Sequence, residues 1–169
     1  MRAMEFYRAV TMDASDLYGR LIDTLERESI AYCLVGGQGV NAYVSPLISL
    51  DLDFVIATAD LARALEILGH EFTITRFANT INLRDAASEI RAQIQMDPRY
   101  APFVTRAERR DIFGRSVFVA SIEDLLQGKI WAASDPDRRD SKRKKDIADI
   151  ARITESYPHL RDRVPPALR

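Results

Sequence analysis

Two short apolar runs, and what punctuates them, set the tightest constraint on this chain. Tyr32-Cys33-Leu34-Val35 leads directly into Gly36-Gly37, and a second run opens further on with Asp51-Leu52-Asp53. Side chains alternate faces along a strand, so Asp51 and Asp53 share one face while Leu50, Leu52, Phe54 and Ile56 share the other. A sheet with one packed face and one polar face accommodates that pattern. The two aspartate Cα atoms would lie roughly 6.5–7 Å apart at the usual strand rise. At that spacing both carboxylates can lean onto one ion or a closely spaced pair. They resist ionising together without a cation. Hard oxygen donors with no soft ligand nearby favour magnesium or manganese, which also hold phosphates.

Each half of the pattern has a plain reading on its own. An Asp-x-Asp pair at a strand mouth can simply be solvated or cap a neighbouring helix. A Gly-Gly turn between a strand and a helix also occurs for steric reasons alone. Together they are more specific, because glycines at the start of the helix predicted over 38–44 let bare amides approach an anion. A Walker A loop is excluded, since no Lys-Ser or Lys-Thr follows the glycines, and Gly36, Gly37 and Gly39 have the wrong spacing for a dinucleotide fingerprint.

Five ordered blocks carry a resemblance over residues 29–153. They are Leu34-Val35-Gly36-Gly37-Gln38, Asn41-Ala42-Tyr43, Ser49-Leu50-Asp51-Leu52-Asp53-Phe54, Glu123-Asp124-Leu125-Leu126-Gln127-Gly128-Lys129 and Lys145-Asp146-Ile147-Ala148-Asp149-Ile150. In these the chain resembles the polymerase-β-like nucleotidyltransferase superfamily, in particular its small bacterial abortive-infection and type IV toxin members. The resemblance implies an α+β fold, a small mixed sheet flanked by helices with a helical C-terminal part. It implies that Gly36 and Gly37 hold nucleotide phosphates and that Asp51 and Asp53 bind the magnesium or manganese ion that aligns an NTP. Gln38 or Ser49 would add a hydrogen bond, and Lys129 and Lys145 would reach the triphosphate. The implied reaction moves a nucleoside monophosphate from an NTP to an acceptor hydroxyl on an RNA end, a protein or a small molecule. A toxin-like role would bring a cognate antitoxin as partner.

The chain departs from that pattern twice. Leu47 stands where many relatives carry arginine. The family also places a third carboxylate on a later strand, here the one predicted over 90–97, whose polar face reads Arg91, Gln93, Gln95 and Asp97. Glutamine accepts a hydrogen bond but is no base near neutral pH. Asp97 is therefore the candidate third catalytic residue, although Pro98 behind it equally suits the start of a turn. Two readings follow: an active transferase, or a catalytically lapsed member that binds a nucleotide or a partner.

The chain's 169 residues, 47% apolar, suffice for one core. One domain is expected over 1–157, with a loosely ordered tail over 158–169 containing Pro165-Pro166. A lone cysteine, Cys33, admits no disulfide and fits a reducing compartment. The first residues carry Arg2, Glu5 and Arg8 and lack a signal-peptide core, and no apolar run reaches a membrane span, so a cytoplasmic location is expected. A net charge of −1 argues against a dedicated nonspecific nucleic-acid binder. Residues 137–146 nevertheless gather six cations in ten residues, either a solvated face or a clamp for triphosphate or RNA. A plain RNA-binding module is the third reading. His70 and His159 are too isolated to form a site.

The periodicity predicts helices over 14–29, capped by Asp13, and over 59–69. Strands are predicted over 30–35, 51–57, 72–77, 80–83, 90–97 and 116–120. Helices over 122–133, capped by Ser121, and over 142–156 complete the chain, with Trp131 packed between them.

Overall fold

A computed structural model describes Glu5, Asp13 and residues 15–169. Helix α1, Leu17–Arg27, buries Leu17, Leu21, Ile22 and Leu25 along one face. Its start is capped twice. The Asp16 side chain accepts from the Gly19 amide at 3.3 Å, and the buried Asp13 carboxylate accepts from the Leu17 amide at 2.9 Å. The expected cap at Asp13 is thus real but shared, and the first helical residue is Leu17.

The strands are β1 Tyr32–Val35, β2 Asp51–Ile56, β3 Thr73–Arg76, β4 Thr80–Arg84, β5 Arg91–Gln95, β6 Glu108–Ile112 and β7 Arg115–Val119. They form one seven-stranded mixed sheet in the order β3-β4-β5-β2-β1-β7-β6. The central strand β2 runs antiparallel to β1 and parallel to β5. Leu52, Phe54, Ile81, Leu83, Ala92 and Ile94 alternate onto the packed face, in one core with α1 and with α3, Leu61–Leu68. The short helix α2, Gly36–Val40, links β1 to the loop before β2. Helices α4, Ile122–Ser134, and α5, Asp140–Ser156, form the helical C-terminal part.

Three features differ from the sequence expectation. Strand β6 was not expected, because its residues are exposed at the sheet edge up to Ile112 and show no alternation. It pairs with β7 through the two-residue turn Phe113-Gly114, whose φ values of 56° and 81° are those of a hairpin turn normally written Asn-Gly. Trp131 does not sit between α4 and α5. It stacks on Phe103 at 5.8 Å and 9°, meets Tyr100 edge-on and carries the Arg99 guanidinium at 4.8 Å, closing α4 onto the 3₁₀ segment Pro98–Arg106. Finally, the tail contains the 3₁₀ segments Pro158–Arg163 and Pro166–Leu168 and buries Leu160 and Val164. Among the described residues no helix is long and apolar enough to cross a membrane.

Candidate active site

The polar face of β2 floors a cleft of about 440 Å³, walled on one side by β4 and β5 and on the other by α4 and α5. Asp51 and Asp53 both line it, as the two-residue period requires. Gly36 closes the β1 side. It has φ +64°, and a Cβ there would stand 2.3 Å from Asp53 Oδ2, so only glycine lets the backbone pass the carboxylate. Gly36→Ala should therefore cost about 1–3 kcal/mol and push Asp53 out of line, read by urea unfolding and by weakened manganese binding. Gly37 has room for a Cβ, 3.8 Å from Asp149 Oδ2, and does not line the cleft.

The two aspartates sit in opposite electrostatic environments. Asp51 has countercharges: Lys142 Nζ lies 2.9 Å from Oδ2 and Arg91 Nε 2.8 Å from Oδ1, the latter contact being electrostatic rather than a well-directed hydrogen bond. Burial pushes its carboxyl up, but Lys142 and Arg91 prevail and hold it below the ordinary value. Asp53 has no ion-pair partner among the described residues. Burial pushes it up to about 6 against the pull of Lys129, and the neighbouring Asp51 charge adds to the rise. A divalent cation would supply a countercharge, and two hard carboxylate donors on one face suit magnesium or manganese. Among the described residues no group of three or more acidic, histidine or cysteine side chains forms a metal cage. The pair would leave most coordination positions to water and substrate phosphates, as magnesium prefers.

Gln38 and Ser49, candidate phosphate contacts, hold the loop that presents Asp51. The buried Gln38 amide donates to the Ser49 carbonyl at 3.0 Å and accepts from Asn41 at 3.0 Å. Asn41 in turn clamps Leu47 through both its amide and its carbonyl. The Ser49 hydroxyl accepts from the Asp51 amide at 3.2 Å. Neither side chain lines the cleft.

The candidate third carboxylate is not brought to the pair. Strand β5 ends at Gln95, and Asp97 beyond it caps the segment Pro98–Arg106, accepting from the Arg99 amide at 2.9 Å. The Arg99 guanidinium grips it at 2.6–3.1 Å and holds it below the ordinary carboxylate value. Asp97 does not line the cleft; in the parallel register Gln93 stands level with Asp53, and Arg91 with Asp51. The Pro98 turn consumes the acid that alternation assigned to this face. Asp97→Ala should cost about 1 kcal/mol as a lost cap and leave nucleotide-dependent activity unchanged.

Lys129 lines the cleft but is committed, its Nζ lying 3.0 Å from Asp146 and 2.7 Å from Asp149. Arg138 completes the hold on Asp146 at 2.8 Å, and Arg152 bridges Asp149 to Asn41 at 2.7 and 2.9 Å. This network fixes α4 and α5 against the loop behind the aspartate face. Lys145 is exposed outside the lining, and its charge acts on Asp51 only at a distance. The cation that enters is Lys142, with Arg139 at the rim. Sequence reasoning missed Lys142 within its basic run, because helical phase cannot be read through a cluster in which nearly every residue is charged.

The same architecture recurs in solved structures. The antibiotic-resistance factor ANT(2'')-Ia, in complex with adenylyl-2''-tobramycin, superposes with a TM-score of 0.62 at 12% identity over 83% of this chain and 87% of that one. The lincosamide antibiotic adenylyltransferase LnuA with bound lincomycin gives 0.58 at 15% identity over 85% and 99%. A putative nucleotidyltransferase from Thermotoga maritima gives 0.54 at 14% identity over 78% and 86%. No family model and no curated protein sequence matches the chain. The chain has the nucleotidyltransferase fold expected from its ordered blocks, covering nearly the whole of these structures.

Proposed function

We propose that this chain is a divalent-metal-dependent nucleotidyltransferase that moves a nucleoside monophosphate from an NTP to an acceptor and releases pyrophosphate. One observation carries the reading: within this fold, Asp51 and Asp53 lie side by side on the cleft floor, beside Gly36 and across from the cations of α4 and α5. Asp51 and Asp53 would hold magnesium, which supplies charge neutralisation at the triphosphate. Lys142 would then exchange Asp51 for a phosphate oxygen, and Arg139 would add a second contact at the rim. The acceptor oxygen bonds to the α-phosphorus as the bond to the bridging oxygen breaks.

A small-molecule acceptor is favoured over an RNA end or a protein. Two of the structural neighbours carry adenylyl-2''-tobramycin and lincomycin. Half of the basic run is also engaged internally, Lys142 on Asp51, Arg138 on Asp146 and Arg143 on the carbonyls of Ala133, Asp135 and Arg138, while Arg139, Lys144 and Lys145 stay exposed. A cytoplasmic location fits the lone Cys33, buried in β1 with its thiol pushed up to about 12 by burial and therefore inert. The toxin role and its antitoxin rest on the sequence blocks alone.

The test is thermal unfolding with each NTP in magnesium and in EDTA, on the wild type and on the Asp51→Asn/Asp53→Asn variant. Ligand at about a hundred times Kd should stabilise the wild type by ~2.7 kcal/mol, only with magnesium. No shift with any nucleotide would sink the transferase reading. The lapsed reading draws on Gln93 and Gln95 and predicts that nucleotide shift without pyrophosphate release in the presence of any acceptor.

A further inference from the structure

The two carboxylate oxygens of Asp51 meet different cations. Arg91 Nε reaches Oδ1 at 2.8 Å from the neighbouring strand β5, and Arg91 does not line the cleft. Lys142 Nζ reaches Oδ2 at 2.9 Å, and Lys142 does line it. The oxygen on the cleft side is therefore covered by a cation of the chain itself. Asp51 and Asp53 bring two negative charges, Lys142 and Arg91 bring two positive ones, and a divalent ion arriving alone meets little net charge to neutralise. An ammonium and a divalent ion on one carboxylate oxygen also repel each other strongly, at a separation of about 4 Å. Lys142 is placed to let go. It stands on the first turn of α5 with its side chain 32% exposed, and Asp51 is the one partner its Nζ has among the described residues. Lys129, by contrast, is held by two carboxylates, and Arg138 by Asp146. A lysine carries a point charge on a flexible stem and can follow an incoming anion.

We infer that Lys142 is a counter-ion lock on the metal site: it covers the cleft-side oxygen of Asp51 until a triphosphate draws it away, so that the metal enters with the nucleotide and not ahead of it. The inference rests on the transferase reading and adds to it the order in which the site fills. A triphosphate offers the ammonium a more highly charged partner than Asp51 does, through equally strong charge-assisted hydrogen bonds. Departure of Lys142 frees Oδ2 for the ion. Metal and nucleotide then strengthen each other's binding by one shared factor. Arg91 stays on Oδ1 and keeps the carboxylate oriented.

The test is manganese binding, read by electron paramagnetic resonance without nucleotide, on the wild type, Lys142→Met, Lys142→Arg and Lys145→Met. Lys145 supplies the control, because its charge acts on Asp51 through space and without contact. Lys142→Met should take up manganese about tenfold more tightly than the wild type. Lys142→Arg should match the wild type, and Lys145→Met should gain at most about threefold, as a screened surface charge does. Lys142→Gln repeats the measurement with a polar side chain, and circular dichroism verifies that each variant is folded. A non-hydrolysable ATP analogue should tighten manganese binding by the wild type about tenfold more than it does for Lys142→Met. Wild-type affinity in both uncharged Lys142 variants, an equal rise for Lys142→Met and Lys145→Met, or the same analogue effect on wild type and Lys142→Met would each overturn the lock and leave nucleotide binding standing. An analogue that changes manganese binding by none of the proteins would remove the transferase reading and the lock with it.

Discussion

Replacing Lys129 by methionine should destabilise the chain by about 3–5 kcal/mol, the range for breaking a buried ion pair and stranding its partners. Lys129 is 11% exposed, and the carboxylates it joins, Asp146 and Asp149, are 3% and 10% exposed. Methionine keeps much of the volume and removes the charge, so both acids lose their central cation and keep only Arg138 and Arg152. For a chain of this size each kcal/mol shifts Tm by about 2–4 °C, so thermal unfolding should fall by roughly 6–20 °C. A double Lys129→Met/Asp149→Asn variant should recover part of the loss. A change below about 1 kcal/mol would mean that the network is wet and weak.

Asp53→Asn should do the reverse to stability while abolishing nucleotide-dependent activity. The carboxyl rises from an ordinary 3.8 to about 6 because the folded chain buries it without a direct countercharge. The native state therefore binds more protons than the unfolded chain between those values, and metal-free stability falls as pH climbs through that window and stays low above it. At about 1.4 kcal/mol per pKa unit the full penalty is ~3 kcal/mol, so asparagine should stabilise the metal-free protein by about 1–3 kcal/mol at pH 7 and by almost nothing near pH 4. Asp51 behaves oppositely. Its carboxyl is held low, its contribution is present at neutral pH and lost as pH falls through the folded value, and Asp51→Asn strands Lys142 and Arg91. Urea unfolding of the two single variants at pH 4 and pH 7 in EDTA separates them. Changes of the same sign and similar size from both variants at pH 7 would contradict the asymmetry of the pair.

That asymmetry was invisible in Asp51-Leu52-Asp53, although the pair itself was plain. Period-two alternation identified the shared face, and the fold followed from five blocks whose order the topology preserves. What the sequence hid arises where tertiary contacts override local pattern. Asp97 fits the polar alternation of β5, but Pro98 ends the strand and Arg99 captures the carboxylate two residues on. Gln38 and Ser49 sit in the right blocks yet spend their hydrogen bonds on the loop before β2. Lys145 and Lys142 lie one helical turn apart in an unbroken cationic run, and only the placement of α5 decides that Lys142 reaches the site. The β6 edge strand has neither alternation nor an Asn-Gly turn to announce it.

Manganese titration followed by electron paramagnetic resonance, with and without a non-hydrolysable ATP analogue, tests the central claim most directly. The wild type should bind one or two ions tightly only when the analogue's phosphates complete the coordination that Asp51 and Asp53 begin, and the Asp51→Asn/Asp53→Asn variant should bind none above background. Equal manganese uptake by both proteins would contradict the assignment of the aspartate pair as the metal site.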